Sequence, residues 1–458
     1  MEQAECRSYV PRAPQTTALH RAVRDGLAGF RSEAEALGGL PGFIAKEINA
    51  YLRCGDLALG FVRVKCTSCE FEVRVGFSCK GRTVCPSCAA RRAALTAAHL
   101  ADDVLPRVPF RQWTLAFPRA LKLALAMDSS LLSAALRAFV SGIFALQRRR
   151  ARGLGIENPR PGAVAFVQNF TSALLLHPHY HVLVPDGVFH GEGYDFAALP
   201  PPDDDEVEKL LRKVANRVRK LAHARYPDGL PYAEDAKVAL SAASVQTRLP
   251  LGEQERWPQQ RRRRCAFIDG FSLHADTWVH QNDRMSLERL CAYGARGPLA
   301  LERLSSREDG RLEYRLRKPS QGGATTLVMT PVQLLKRLCA LVVKPRVHLT
   351  RFFGVFAPNS SARAQVVPRG LPEQRAIAAA SPNADETTRA PPRPRLDWAG
   401  LLRRTFEFDV FACPCGGRRR VLALITSPDV ARKILGIPSR QRLWQKNTGP
   451  PQLSLALH

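Results

Sequence analysis

The chain has 458 residues, and 68 Lys plus Arg against 41 Asp plus Glu give it a formal charge of +27. Hydrophobic residues at 45% and charged residues at 24% exclude a wholly disordered chain, and the length suggests two to four domains at roughly 100–200 residues each. So basic a chain points to a polyanion, with nucleic acid the first candidate and a membrane surface the second. The opening MEQAECRSYVPR lacks the apolar run of a signal peptide. The longest apolar stretch, Leu131 to Leu146, carries Arg137 at its middle and reads as an amphipathic helix rather than a bilayer span. The expectation is a cytoplasmic protein with no membrane partner.

The spacing of Ala18, Val23, Leu27 and Phe30, then of Phe43, Ile44 and Ile48, predicts a helical first fifty residues. A cysteine-rich stretch follows and ends in an Ala/Arg-rich helix from about residue 89 to 101. From Phe110 to about Val347, β-like runs (113–117, 163–170, 179–184) mix with helical ones (121–147, 206–224, 331–341). That mixture is α+β. Residues 358–396, with SPNADETTRAPPRPR, read as a Pro/Ala/Arg-rich linker, and 397–458 as a small C-terminal module containing VLALI. The predicted domains are therefore 1–101, 102–357, the linker and the module.

Of twelve cysteines, six fall between Cys54 and Cys88, a clustering that favours metal over disulfides. Cys66-Thr-Ser-Cys69 and Cys85-Pro-Ser-Cys88 form two C-x-x-C pairs separated by fifteen residues. Two such pairs suffice for a closed tetrahedral zinc site that is structural. Cys54 and Cys79 are candidates for a second site or for a substitute ligand, and Cys413-Pro-Cys415 for half a site. The intervening FEVRVGFS alternates as a short strand, as in a zinc ribbon. Basic residues around the cluster, among them Arg91 and Arg92, point to phosphate contacts. Arg148-Arg149-Arg150 and Arg261-Arg262-Arg263-Arg264 are further candidates for DNA binding.

In the run Leu176-His177-Pro178-His179-Tyr180-His181, a strand would place His179 and His181 on one face, about 7 Å apart, with Tyr180 on the other. Two imidazoles so placed can bind one divalent ion. Gln168, on what should be the neighbouring strand, is a candidate third ligand. Pro185-Asp186-Gly187 then turns the chain.

His-hydrophobic-His on a strand, followed by a helix bearing a tyrosine, resembles the HUH endonucleases. CTSCEFEVRVGFSCKGRTVCPSCAARR resembles the zinc-binding start of the insertion-sequence-ninety-one-like transposases, which are related to the common-region elements. HPHYHVLVPDG resembles their metal motif, LERLCAYGARGPLALERL their nucleophile helix, and GVFAPNSSAR a downstream stretch. The resemblance covers roughly residues 40–370, with an echo at ACPCGGRRRVLALI. It implies an HUH-type antiparallel sheet with flanking helices, preceded by a zinc-ribbon-like domain.

The resemblance also implies a rolling-circle transposase that nicks and rejoins single-stranded DNA at the element's ends. It assigns the nucleophile to Tyr293, a catalytic Mg²⁺ or Mn²⁺ to His179, His181 and Gln168, and a structural Zn²⁺ to the cysteines. Arg289 stands where two-tyrosine members carry a second tyrosine, so one covalent linkage per chain is implied. Ala292, Phe352-Phe353 and Arg296-Gly297-Pro298 are further departures from the family pattern. Leu287, Leu290 and Cys291 form one stripe of the predicted nucleophile helix, and Gly294 is its expected C-cap. The competing readings are an HUH replication initiator or relaxase, and a zinc-ribbon regulator with no catalysis.

Overall fold

A computed structural model describes residues 12–36, 38–69, 71–230, 263–317, 319, 323–367, 398–406 and 409–437. In chain order come α1 (Ala18–Glu35), α2 (Gly42–Leu52), β1 (Phe61–Cys66), β2 (Glu72–Gly76), α3 (Pro86–Asp103) and β3 (Phe110–Ala116). Then follow α4 (Arg119–Met127), α5 (Ser129–Gly153), β4 (Gly162–Phe170), β5 (Leu176–Pro185), β6 (Gly187–His190), β7 (Asp195–Ala198) and α6 (Asp204–Arg225). Next are β8 (Cys265–Ile268), β9 (Phe271–Val279), α7 (Arg284–Ala295), β10 (Leu304–Ser306), β11 (Leu312–Arg315) and β12 (Thr326–Met329). The chain closes with α8 (Pro331–Ala340), β13 (Thr350–Gly354), α9 (Arg363–Val366), α10 (Trp398–Phe406), β14 (Arg419–Ile425) and α11 (Pro428–Leu435). Most of the predicted linker, residues 368–396, lies outside the described residues.

The described residues fall into two units. Those of the first lie within Met1–Pro14, Arg53–Ser78 and Glu407–His458. Its core element is a three-stranded antiparallel sheet in the order β14-β1-β2. Val64 pairs with Val73 on one side and with Val421 on the other, so the strand predicted in the C-terminal module seats on the N-terminal hairpin.

The second unit is built on a six-stranded sheet in the order β13-β4-β5-β3-β9-β8, with all neighbouring strands antiparallel. Side chains alternate across a strand, and both faces are covered. Trp113, Leu115, Tyr180 and Val182 enter the core shared with α4, α5 and α6. Phe110, Val164, Phe166 and Leu183 enter a second core with Leu287 and Cys291 of α7. The continuous helix predicted over 121–147 is instead two, α4 and α5. Asp128 interrupts it, because its carboxylate accepts from the N–H groups of Ser130 and Leu131 and so caps a new helix start. By length and composition α5 is apolar enough to cross a membrane, yet Leu132, Leu136, Phe139 and Ile143 bury it in the sheet's core.

Asp186, in the predicted turn after β5, accepts from Arg111 Nε at 2.9 Å and Nη2 at 2.6 Å, while Nη1 donates to the Ala275 carbonyl. This bidentate pair ties β3, β9 and the end of β5 together.

Gly294 is not the C-cap that the sequence suggests. α7 continues to Ala295 and Arg296 caps it. The glycine serves packing instead: a Cβ on Gly294 would stand 2.5 Å from Cδ2 of Phe166 on β4. An alanine inside a helix ordinarily stabilises by about 0.5–1 kcal/mol relative to glycine. Here Gly294→Ala should destabilise by about 1–3 kcal/mol through overpacking. Urea unfolding checks the sign, and a stabilised variant would mean that α7 does not rest on Phe166.

Candidate active site and zinc centres

Antiparallel pairing of β4 with β5 sets Gln168 directly opposite His179 and Phe166 opposite His181. His177, His179 and His181 alternate along β5, and their rings follow one another with centroids 5.4 Å and 5.0 Å apart. Tyr180 points to the other face, where it is fully buried and its hydroxyl donates to the Leu132 carbonyl at 2.6 Å. Burial pushes its pKa up, so it is a core residue.

Tyr293, on α7, is half-buried. Its ring meets His181 edge-on, with centroids 5.5 Å apart and an interplanar angle of 85°. The backbone beneath it is held by Gln168, whose Nε2 donates to the carbonyls of Tyr293 at 2.7 Å and Gly294 at 2.9 Å. Both acceptors are carbonyls, so the amide orientation is unambiguous and Oε1 takes the other direction. The guanidinium carbon of Arg296 lies 4.7 Å from the Tyr293 ring centroid and 5.0 Å from that of Phe170. That of Arg317 lies 5.7 Å from the Tyr293 ring.

The imidazoles are neutral near pH 7. Burial, then His179 and Arg296, holds His181 down to about 3, and burial with Lys122 and His179 does the same to His177. Burial also lowers His179. The Nδ1 of His179 lies 2.8 Å from the His177 carbonyl and must donate to it, which leaves the lone pair on Nε2. His181 places Nδ1 3.2 Å from Thr114 Oγ1. Its Nε2 and the Oε1 of Gln168 are buried without a hydrogen-bond partner. An orphaned buried polar atom costs about 1–3 kcal/mol. Two imidazole nitrogens and an amide oxygen are a donor set that fits a divalent cation, and such an ion would satisfy both orphans.

The cysteines divide differently from the single site predicted for Cys66, Cys69, Cys85 and Cys88. In the first unit Cys66 and Cys69 group with Cys413 and Cys415, all four Sγ atoms within 4.8 Å of one another. Cys66–Cys415 and Cys69–Cys413 are each 3.6 Å apart, close to the about 3.8 Å that tetrahedral zinc with a Zn–S bond of about 2.3 Å requires. Amide N–H groups of Cys69 and Ser68 hold the Cys66 thiol down to about 6, and that of Cys415 lowers Cys413. The knuckle is tight, since a Cβ on Gly417 would stand 3.1 Å from Cys66 Sγ. Cys85 and Cys88 belong to the second unit, where Cys88 lies 3.5 Å from Cys79. Cys85 is the N-cap of α3 and Pro86 follows it. Glu47 Oε1 gathers the preceding loop by accepting from the N–H groups of Arg82, Thr83 and Val84 at 3.1, 2.6 and 3.1 Å.

Arg91 and Arg92 are exposed on α3. Arg263 is exposed, whereas Arg264 is engaged with the Pro202 carbonyl and Asp276. Arg261 and Arg262 lie outside the described residues. Sequence reasoning missed His177 as a member of the row, Arg296 beside the tyrosine, and the partnership of Cys413 and Cys415. The two-residue spacing of the histidines and the three-residue step from Tyr293 to Arg296 were available signals. Nothing local announces the cysteine partnership.

Residues 24–117 match the family model “Transposase zinc-binding domain”, and residues 162–364 match “Putative transposase”. A zinc-binding domain followed by this domain defines a DNA transposase. With both matches in that order, the chain belongs to the insertion-sequence-ninety-one-like transposases. No curated protein and no solved structure matches it. Cys413 and Cys415 lie beyond both matched ranges.

The cysteine groups fit structural zinc, and metal analysis of the purified chain should find two ions, the second held through Cys79, Cys85 and Cys88. Cys413→Ser with Cys415→Ser should remove one ion and lower the melting temperature. Two zinc ions retained by that double variant would contradict the grouping.

Proposed function

We propose that the transposase nicks and rejoins single-stranded DNA at its element's ends through a phosphodiester link to Tyr293, with a divalent ion, in a rolling-circle-type route. The observation that carries this reading is Tyr293 set edge-on to His181, with its backbone held by the glutamine that faces His179.

Tyr293 Oη attacks phosphorus, the P–O3′ bond breaks, the phenol proton is lost and the departing 3′-oxygen gains one. The products are a 5′-phosphotyrosine and a free 3′-hydroxyl. The ester keeps the bond's energy, so a later 3′-hydroxyl can displace the tyrosine without ATP. Mg²⁺ or Mn²⁺ on His179, His181 and Gln168 would supply Lewis-acid stabilisation of the scissile phosphate. The chain's own residues do the rest. Gln168 fixes the height of α7 over the sheet, so the phenol is aimed before substrate arrives. Arg296 has a buried Nε without a partner and lies against the Tyr293 ring, which suits it to charge on the phosphate or tyrosinate. Arg289, one turn before Tyr293, is exposed and offers no second nucleophile. Tyr314 is buried, with its hydroxyl 3.4 Å from the Ala300 N–H, and is no rival.

Tyr293→Phe keeps the ring and should leave stability nearly unchanged while abolishing cleavage. Strand ends labelled on the 3′ side should travel with wild-type protein through boiling detergent, and the adduct should map to the peptide holding Cys291-Ala292-Tyr293. Cleavage without any protein-linked DNA would overturn the mechanism.

His181→Ala should abolish cleavage with DNA binding almost intact, because Arg and Lys make most phosphate contacts. Gln168→Glu separates two roles: the carboxylate remains a ligand but cannot donate to the two carbonyls of α7. Cleavage should fall at least about tenfold, which is the effect of about 1.4 kcal/mol on the barrier, while calorimetry with Mn²⁺ shows affinity kept or raised. Full cleavage by this variant would confine Gln168 to ligation.

A further inference from the structure

The sheet of the second unit has two faces, and the histidine row, Gln168 and Tyr293 occupy one of them. α6 lies on the other, packed by Val207, Leu211, Val214 and Val218 into the core that also takes Tyr180 and Val182. Its outer side is strongly basic. Lys209, Lys213, Arg217 and Lys220 are all exposed, and steps of four, four and three residues keep them on one stripe. At about 1.5 Å per residue the stripe runs about 16 Å.

Most acids around it are committed elsewhere, the exception being Asp205, exposed one turn before Lys209 at the start of the helix. Glu208 pairs with Arg212, Glu206 with Arg149 and Arg150, Asp269 with Arg219, and Asp128 with Arg225. Among the described residues, no ion pair engages the four cations of the stripe. Four unneutralised charges held in a straight row by a packed helix attract a stiff row of phosphates, and duplex DNA presents one charge about every 1.7 Å of its axis.

We propose that this face of α6 is a second DNA-binding surface that holds duplex DNA by its backbone, separate from the strand that reaches Tyr293. Because the sheet stands between the stripe and the histidines, one short single strand cannot occupy both. The surface therefore engages the double-stranded flank of the element or of its target. The proposal rests on the chain's being a DNA transposase and is independent of the tyrosine chemistry.

The test uses the full chain with Lys209→Glu, Lys213→Glu, Arg217→Glu and Lys220→Glu combined. The probes are a duplex of about 30 base pairs of arbitrary sequence and a single-stranded oligonucleotide of equal length, each titrated at several salt concentrations. Losing four phosphate contacts should lower the slope of log affinity against log salt for the duplex by about 3.6, at about 0.9 per phosphate. Duplex affinity should fall at least tenfold, with a much smaller loss for the single strand. A quadruple Gln variant, which adds no negative charge, should show the same preference and serves if the Glu variant misfolds. Unchanged duplex affinity and slope, or equal losses on both probes, would overturn the proposal.

Discussion

Everything at the candidate site hangs on the register of β4 against β5. Gln168 and His179 are cross-strand partners, so a slip of one residue would send either the glutamine or the histidines to the opposite face. That face is filled with Val167, Tyr180 and Val182 beneath α5 and α6, and it has no room for imidazoles. Burial of the apolar alternates therefore forces the polar alternates together. The hydrophobic core fixes the chemistry from behind.

The same register positions α7. α7 has little to grip on its own, and it is a short helix with Leu287, Cys291 and Gly294 as its buried residues. Two features seat it: the missing side chain at Gly294, which lets it descend onto Phe166, and the two hydrogen bonds from Gln168. One is steric and the other is polar, and both come from β4. Residues 166 and 168 share a face of that strand, so a single strand sets both the depth of the helix and the donor opposite His179.

Local pattern made much of this legible. The two-residue alternation of His179 and His181 located a strand face, and the strands over 163–170 and 179–184 stand where the apolar alternation put them. The sequence failed where the deciding interaction was distant or geometric. The Asp128 cap broke a helix whose apolar period runs on through it. Gly294 looks like a helix stop, but its reason is a phenylalanine ring some 130 residues upstream. The grouping of Cys66 and Cys69 with Cys413 and Cys415 outranks the nearer C-x-x-C pair, because proximity in sequence sets only loop entropy. That cost grows slowly, by about 0.6 kcal/mol for each doubling of the loop, and antiparallel pairing of β1 with β14 already closes the loop.

The strand pairing from Phe61–Ile425 to Cys66–Arg419 ends at the first cysteine, so the thiolates sit at the open end of a ladder whose other members are backbone hydrogen bonds. Val421, Leu422 and Leu424 of β14 are exposed, so these side chains add little buried apolar surface to the third strand. Four thiolates on one ion would add stabilisation at the point where the ladder would fray. A metal there would do for the first unit what the core does for the second: it would turn a register allowed by pattern into the one register that persists.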